Sequence, residues 1–190
     1  MDNYVFGYGS LVDVDALAGF LGRPVPADEW TRCRLRGYRR AWNVAMDNSL
    51  DVPGYKHYVD AETGLRPAGF VTFLNIRPAA RQAVNGIVFR VRKHEIPQID
   101  ARERNYDRID VSGKLDPEVP GRVWTYRGKA DAQRRYVWAA RLRSAVISQD
   151  YFDAVQAAFL RLGDDFLADY RATSDPPRVP LCRLRRVPPS

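Results

Sequence analysis

An apolar run at Tyr4, Val5 and Phe6 breaks into Gly7-Tyr8-Gly9-Ser10-Leu11 ahead of a helix-like stretch, which predicts a strand delivering a tight loop to the surface. Residues 14–21 then predict a short helix ended by Gly22 and Pro24, and residues 32–46 a long or bent strand region. Residues 47–66, polar and carrying Pro53-Gly54, predict a loop or excursion at the mouth of a site. Residues 68–76 are apolar on both alternations, as in a strand covered on both faces, and residues 86–91 are expected as its neighbouring strand. Residues 95–106 predict one short helix, with Pro97 tolerated in its first turn. Strands at 109–111 and 123–126 bracket a Gly/Pro-rich turn region at 113–121, and residues 134–143 fit strand or helix equally. Ser148 suits an N-cap, Phe152, Val155, Phe159 and Leu162 form a helical stripe, and Gly163 suits a C-cap. A shorter helix around residues 166–170 follows, stopped by Ser174-Asp175-Pro176-Pro177, and the apolar stripe of this pair is expected to be core.

Length and composition narrow the class. With 190 residues and 45% hydrophobic content the chain is expected to form one domain, residues 1–190, around a full-sized core. No apolar run approaches the roughly 20 residues of a membrane span, and the first residues lack the order of a signal peptide, so a cytoplasmic protein without membrane attachment is expected. Cys33 and Cys182 are expected as reduced thiols rather than a metal site. Both open a Cys-Arg-Leu-Arg tetrapeptide whose alternation fits a strand with one solvated face, and the two strands are candidates for sheet neighbours. The net charge of +7 raises nucleic acid as a partner. Against it, only Lys56, Lys93, Lys114 and Lys129 are lysines, the arginines are scattered, and no RNA-binding signature is present. A positive surface equally favours encounter with acidic small molecules.

The candidate chemistry lies in two places. Glycines at 7 and 9 would let the chain take a positive φ and bring amides close to a ligand, with a following helix N-terminus adding a positive dipole end. At about 100° per residue, Ile96, Ile99, Glu103 and Tyr106 share one helical stripe while Arg102, Arg104 and Asn105 point elsewhere. A carboxylate thus shares an apolar face. It is either paired with an arginine at the stripe's edge or partly desolvated and able to accept and return a proton. Other sites are set aside on physical grounds. Val12 obstructs the third position of a dinucleotide fingerprint, a P-loop Gly-Lys-Ser/Thr is missing, and neither His57 nor His94 suits Ser10 as a base. No His/Asp/Glu cluster has metal-ligand spacing.

Tyr8-Gly9-Ser10-Leu11 resembles the YGSL-type loop of the γ-glutamylcyclotransferase superfamily, and Gly37-Tyr38-Arg39-Arg40-Ala41-Trp42-Asn43 resembles a segment common in it. The spacing Asp100, Glu103, Tyr106, Arg108, after the run 85–91, is similar to the segment where that superfamily carries its catalytic glutamate. The resemblance implies an α+β fold, a small mixed β-barrel flanked by helices. It implies Glu103 as general acid/base, Tyr8, Gly9, Ser10 and Leu11 as substrate-binding, and a γ-glutamyl small molecule as partner, with no cofactor and no metal. Tyr106 and Tyr126 would close the pocket, the alternative being buried structural tyrosines. The implied reaction cyclises the γ-glutamyl group to 5-oxoproline and frees an amine or amino acid. Val12-Asp13 replaces the tryptophan found after the loop in the glutathione-specific ChaC branch, and Arg104-Asn105 replaces a glycine-rich stretch, which leaves the amine open. Two other readings remain: a non-catalytic metabolite- or protein-binding member of the same fold, and a basic RNA-binding module. The oligomeric state is not specified by the sequence.

Overall fold

The computed structural model describes residues 2–188. Its frame is a ribbon of two long antiparallel strands, β2 (Trp30–Asp47) and β4 (Phe70–Val91), the second of which carries two fully buried runs, residues 71–76 and 84–89. These runs were expected as separate neighbouring strands. They lie instead in line on the same partner, because Arg36 pairs with Ala83 and Tyr38 with Pro78, so four residues bulge out opposite Gly37. Gly37 takes a φ of 85° there, the left-handed backbone that a bulge of this kind asks of glycine.

β1 (Asn3–Gly7) lies between β4, to which it is antiparallel, and β7 (Arg122–Gly128), to which it is parallel. β5 (Tyr106–Asp110) adds to the far edge of β7, and β6 (Leu115–Asp116) adds to the far edge of β2. The sheet therefore runs β5-β7-β1-β4-β2-β6 and curls into a half-barrel without joining its ends. A short β8 (Ala145–Ser148) pairs in parallel with the start of β4 and with β9 (Leu181–Cys182), while β3 (His57–Asp60) and β10 (Leu184–Val187) form a separate two-stranded sheet. Cys33 faces Gly86 on β4 and Cys182 faces Ser148 on β8, so the two Cys-Arg-Leu-Arg segments are not sheet neighbours as expected.

Among the described residues five α-helices complete the mixed architecture that the resemblance implied. α1 (Val14–Leu21) starts on an Asp13 cap and ends on Gly22 in the left-handed region. α2 (Ile96–Arg102) leads toward β5, and α3 (Ala130–Arg141) packs on β2, resolving the ambiguous segment as helix. α4 (Gln149–Arg161) begins on the Ser148 hydroxyl and packs on α5 (Asp164–Ala172) through Phe159, Phe166 and Tyr170. Gly163, expected to close α4, opens α5 instead, after a turn at Leu162. The main core joins Val5, Phe6, Leu35, Ile76, Phe89, Ile99 and Phe159; a smaller cluster forms around Met46, Tyr58, Phe73 and Leu184. Among the described residues no helix is long and apolar enough to cross a membrane.

Candidate active site

The loop after β1 is shaped by steric closeness rather than by left-handed backbone. Neither Gly7 nor Gly9 has a positive φ, which corrects the reason assigned to them from sequence. A Cβ on Gly7 would stand 2.8 Å from Leu11 Cβ, because the chain folds straight back on itself in a single 3-10 turn, Ser10–Val12. A Cβ on Gly9 would meet Leu74 Cδ2 at 3.5 Å and the Tyr151 hydroxyl at 3.8 Å, ordinary van der Waals contacts, so the steric demand falls on Gly7. The only backbone bond that closes the turn runs from Val12 N–H to Gly9 O, so the amides of Gly9, Ser10 and Leu11 donate to no protein acceptor among the described residues. The dipole of α1 is not what faces the ligand space, since Asp13 caps that helix and is itself paired with Arg161 at 2.6 Å.

The second half of the site departs from the expected helix. α2 stops at Arg102; Glu103 N–H closes the last turn onto Ile99 O, and Tyr106 N–H bonds back to Glu103 O at 2.8 Å. Tyr106 therefore starts β5 instead of continuing a helical stripe. Pairing of β5 with β7 forces the change, because Tyr106 must lie opposite Gly128 and Lys129 N–H reaches Asn105 O. Glu103 leaves the helix axis on this turn and its side chain, 16% exposed, opens on the pocket. Arg102, assigned from periodicity to another direction, turns back: its Nε lies 3.3 Å from Glu103 Oε1 and its Nη2 donates to Ser10 Oγ at 3.4 Å. The arginine-paired and the pocket-facing readings of Glu103 thus describe the same side chain.

One pocket, enclosing about 330 Å³ with its open mouth included, is lined by Phe6, Tyr8, Gly9, Ser10, Leu11, Leu74, Glu103, Tyr106, Tyr126 and Tyr151. Every residue singled out as a site candidate from sequence reaches it. His94 is exposed and outside it. Among the described residues no group of three metal-ligating side chains occurs. The tyrosines form a connected frame: Tyr8 donates to Tyr126 O at 2.6 Å, Tyr126 donates to Asp100 Oδ1 at 2.8 Å, and Tyr106 donates to Leu74 O at 2.7 Å. Asp100 is held in turn by Arg108 at 3.6 Å. Burial, reinforced by the Glu103 charge, raises the phenols of Tyr8, Tyr106 and Tyr151, so all three are neutral donors at physiological pH. Tyr126 is raised as well, by burial and then by its bond to Asp100.

Sequence reasoning missed Tyr151 and Arg102. Tyr151 sits in the first turn of α4, edge-on to Trp42 and Phe73, and its hydroxyl has no hydrogen-bond partner among the described residues. The stripe chosen for α4 began at Phe152; a second aromatic beside it at the capped end was the available signal. Beneath the loop, buried Arg40 donates through Nε to Tyr8 O at 2.8 Å.

No family model matches the sequence, and no curated protein matches it. The fold does have solved counterparts. A γ-glutamyl cyclotransferase structure aligns at a TM-score of 0.55 with 11% identity, over 94% of this chain and 90% of that one. A yeast γ-glutamyl cyclotransferase specific to glutathione aligns at 0.53 with 15% identity, over 91% and 97%. An uncharacterized human protein aligns at 0.53 with 13% identity, over 93% and 90%. At these identities the likeness is one of fold, and by it the chain has the γ-glutamyl-cyclotransferase-like fold.

Proposed function

We propose that the protein is a γ-glutamylcyclotransferase that releases 5-oxoproline and a free amine from a γ-glutamyl amide. The observation that carries this reading is that Glu103 lines one pocket together with Gly9, Ser10 and Leu11, whose amides have no protein acceptor among the described residues. The loop amides and Arg102 take the glutamyl α-carboxylate, which leaves the α-ammonium beside Glu103. Glu103 removes one ammonium proton; the freed nitrogen attacks the γ-carbonyl carbon and closes a five-membered ring. Negative charge develops on the γ-oxygen, where the unpartnered Tyr151 hydroxyl supplies a donor. Collapse breaks the bond to the departing nitrogen, which receives the proton from Glu103, and the second ammonium proton ends on the released amine. No enzyme nucleophile is required, and holding the glutamyl chain folded supplies much of the acceleration, on the order of 7–11 kcal/mol for a well-oriented intramolecular attack.

The test is a panel of γ-glutamyl amino acids and γ-glutamyl amines assayed for 5-oxoproline, with their N-acetyl derivatives beside them. Acetylation removes the attacking amine, so only the unblocked compounds should react. Glu103→Gln should lower turnover by about two orders of magnitude or more while the protein stays folded. No lactam from any member by the intact protein would favour a non-catalytic binding role, and unchanged turnover in Glu103→Gln would move the base elsewhere.

A further inference from the structure

α3 lies on β2 through one side only. Ala132 and Ala139 are buried there, and Arg135 ties the helix down: its Nε donates to Ala45 O at 3.0 Å, its Nη2 donates to Asn105 Oδ1 at 3.0 Å, and its Nη1 pairs with Asp131 at 2.6 Å. At about 100° per residue, Ala130, Arg134, Val137 and Arg141 fall opposite Ala132 and Ala139, and Trp138 and Leu142 run beside them. The free side of a surface helix is ordinarily polar, but Val137, Trp138 and Leu142 are 48, 55 and 57% exposed. Trp138 is held in place, since the Phe70 ring meets it edge-on at 5.6 Å and 82°. Ala130, Gln133, Arg134, Val137, Trp138 and Arg141 surround a depression of about 780 Å³ with its open mouth included. None of them lines the pocket that holds Glu103.

Charge decides what covers this side. Arg134 and Arg141 are exposed, and among the described residues neither has a carboxylate at ion-pair distance. They stand two turns apart, about 10 Å along the helix, with Val137 between them. The one acid of residues 127–143, Asp131, is already taken by Arg135. A second copy of the chain would bring the same cations to the contact, and like charges facing each other across an interface are costly. A helix that lies on an anionic membrane keeps its cations off the apolar face. Here Arg134 and Arg141 share the row of Val137 and would follow it into the hydrocarbon. A peptide with a carboxylate on each side of one large apolar residue meets both cations and covers the apolar surface between them. We infer that the outer side of α3 docks an acidic segment of another protein, an apolar side chain seating against Val137 and Trp138 and flanking carboxylates pairing with Arg134 and Arg141.

The test pans the immobilised full chain against random dodecapeptides displayed on phage. Enriched peptides should carry an aromatic or leucine side chain with Asp or Glu before and after it. Synthetic copies should bind the free protein with an affinity that falls as salt rises, and that drops about tenfold or more in Arg134→Glu/Arg141→Glu and in Trp138→Ala. All three positions are exposed, so both variants should melt with the parent; where Trp138→Ala fails to fold, the arginine variant carries the test alone. No enrichment, enriched peptides without carboxylates, or acidic peptides that bind the arginine variant as tightly as the parent overturn the inference. A dimer in sedimentation that Trp138→Ala dissociates would give this side to a second copy instead. Phosphatidylglycerol vesicles that capture the parent but not the arginine variant, with no peptide enriched, would give it to a membrane.

Discussion

Arg40 shows how much of the site depends on a single residue that never touches the pocket. It is fully buried and has no carboxylate at ion-pair distance among the described residues. Its donors go instead to Tyr8 O, to Thr173 Oγ1 at 2.8 Å, and to the carbonyl and side-chain oxygens of Asn85, while Phe159 and Tyr170 lie about its guanidinium at 5.1 and 5.0 Å. Burial lowers its pKa to about 9, which measures how strongly this interior resists the charge. A peptide plane holds its carbonyl and the next amide in opposite directions, so anchoring Tyr8 O on Arg40 turns the Gly9 N–H away from the core. Arg40→Met should therefore weaken two properties together. Stranding these acceptors should cost about 3 kcal/mol, or roughly 6–12 °C in Tm for a chain of this size, and 5-oxoproline formation should fall beyond what the loss of folded protein explains. A melting temperature within two degrees of the parent would mean the cation is not what holds the loop. Arg40 was legible only as part of a family-like segment; nothing in its polar character announces burial, because arginine is ordinarily a surface residue.

At the scale of elements, the close antiparallel pairing of β1 with β4 sets the loop's position. A Cβ on Gly86 would lie 2.2 Å from Gly7 O and 2.7 Å from Phe6 Cζ, contacts that only movement of β1 could relieve. Asn-Gly in a chain is a strong hairpin signal, yet Asn85-Gly86 lies inside β4, its glycine present for close approach of backbone to backbone. Gly86→Ala should destabilise by about 1–3 kcal/mol and should also shift the Tyr8–Leu11 loop, so that KM rises in the fraction that remains folded. Urea unfolding and steady-state kinetics on one preparation check both; an alanine variant that matches the parent in each would show that β1 can yield without cost. The helices were readable where their signals are local: α1 from its stop at Gly22, α4 from its Ser148 cap and apolar stripe. α2 was overextended because its end is dictated by strand pairing that no local signal reports.

Across the whole molecule, the N-terminal third is bound to the site helix by one ion cluster. Arg23, just past α1, reaches Glu29 at 2.6 Å and Glu95 at 2.5 Å, and Glu95 also accepts from the Arg92 amide at 2.8 Å. Burial alone would raise the Glu95 carboxyl, but the Arg23 and Arg92 bonds outweigh it and hold it below the ordinary carboxylate range. The folded protein therefore binds fewer protons here than the unfolded chain, so the cluster's stabilisation is complete above about pH 4.5 and is lost as the pH falls through the lower folded value. Glu95→Gln should cost about 2 kcal/mol in urea unfolding at neutral pH, and the gap from the parent should close below about pH 4.5. A gap that is constant with pH would assign the loss to packing instead of charge. What the amino-acid order determined by itself was local: the strand that breaks into Tyr8–Leu11, the capped helices, the alternating strands, and a carboxylate at Glu103 near an apolar stripe. Tertiary structure decided where that carboxylate points, that two apolar runs share one strand, that Tyr151 lines the same pocket and that Arg102 pairs with Glu103. The reason is physical: periodicity records which face of an element is buried, whereas the partner that buries it is chosen by register and packing between residues far apart in the chain.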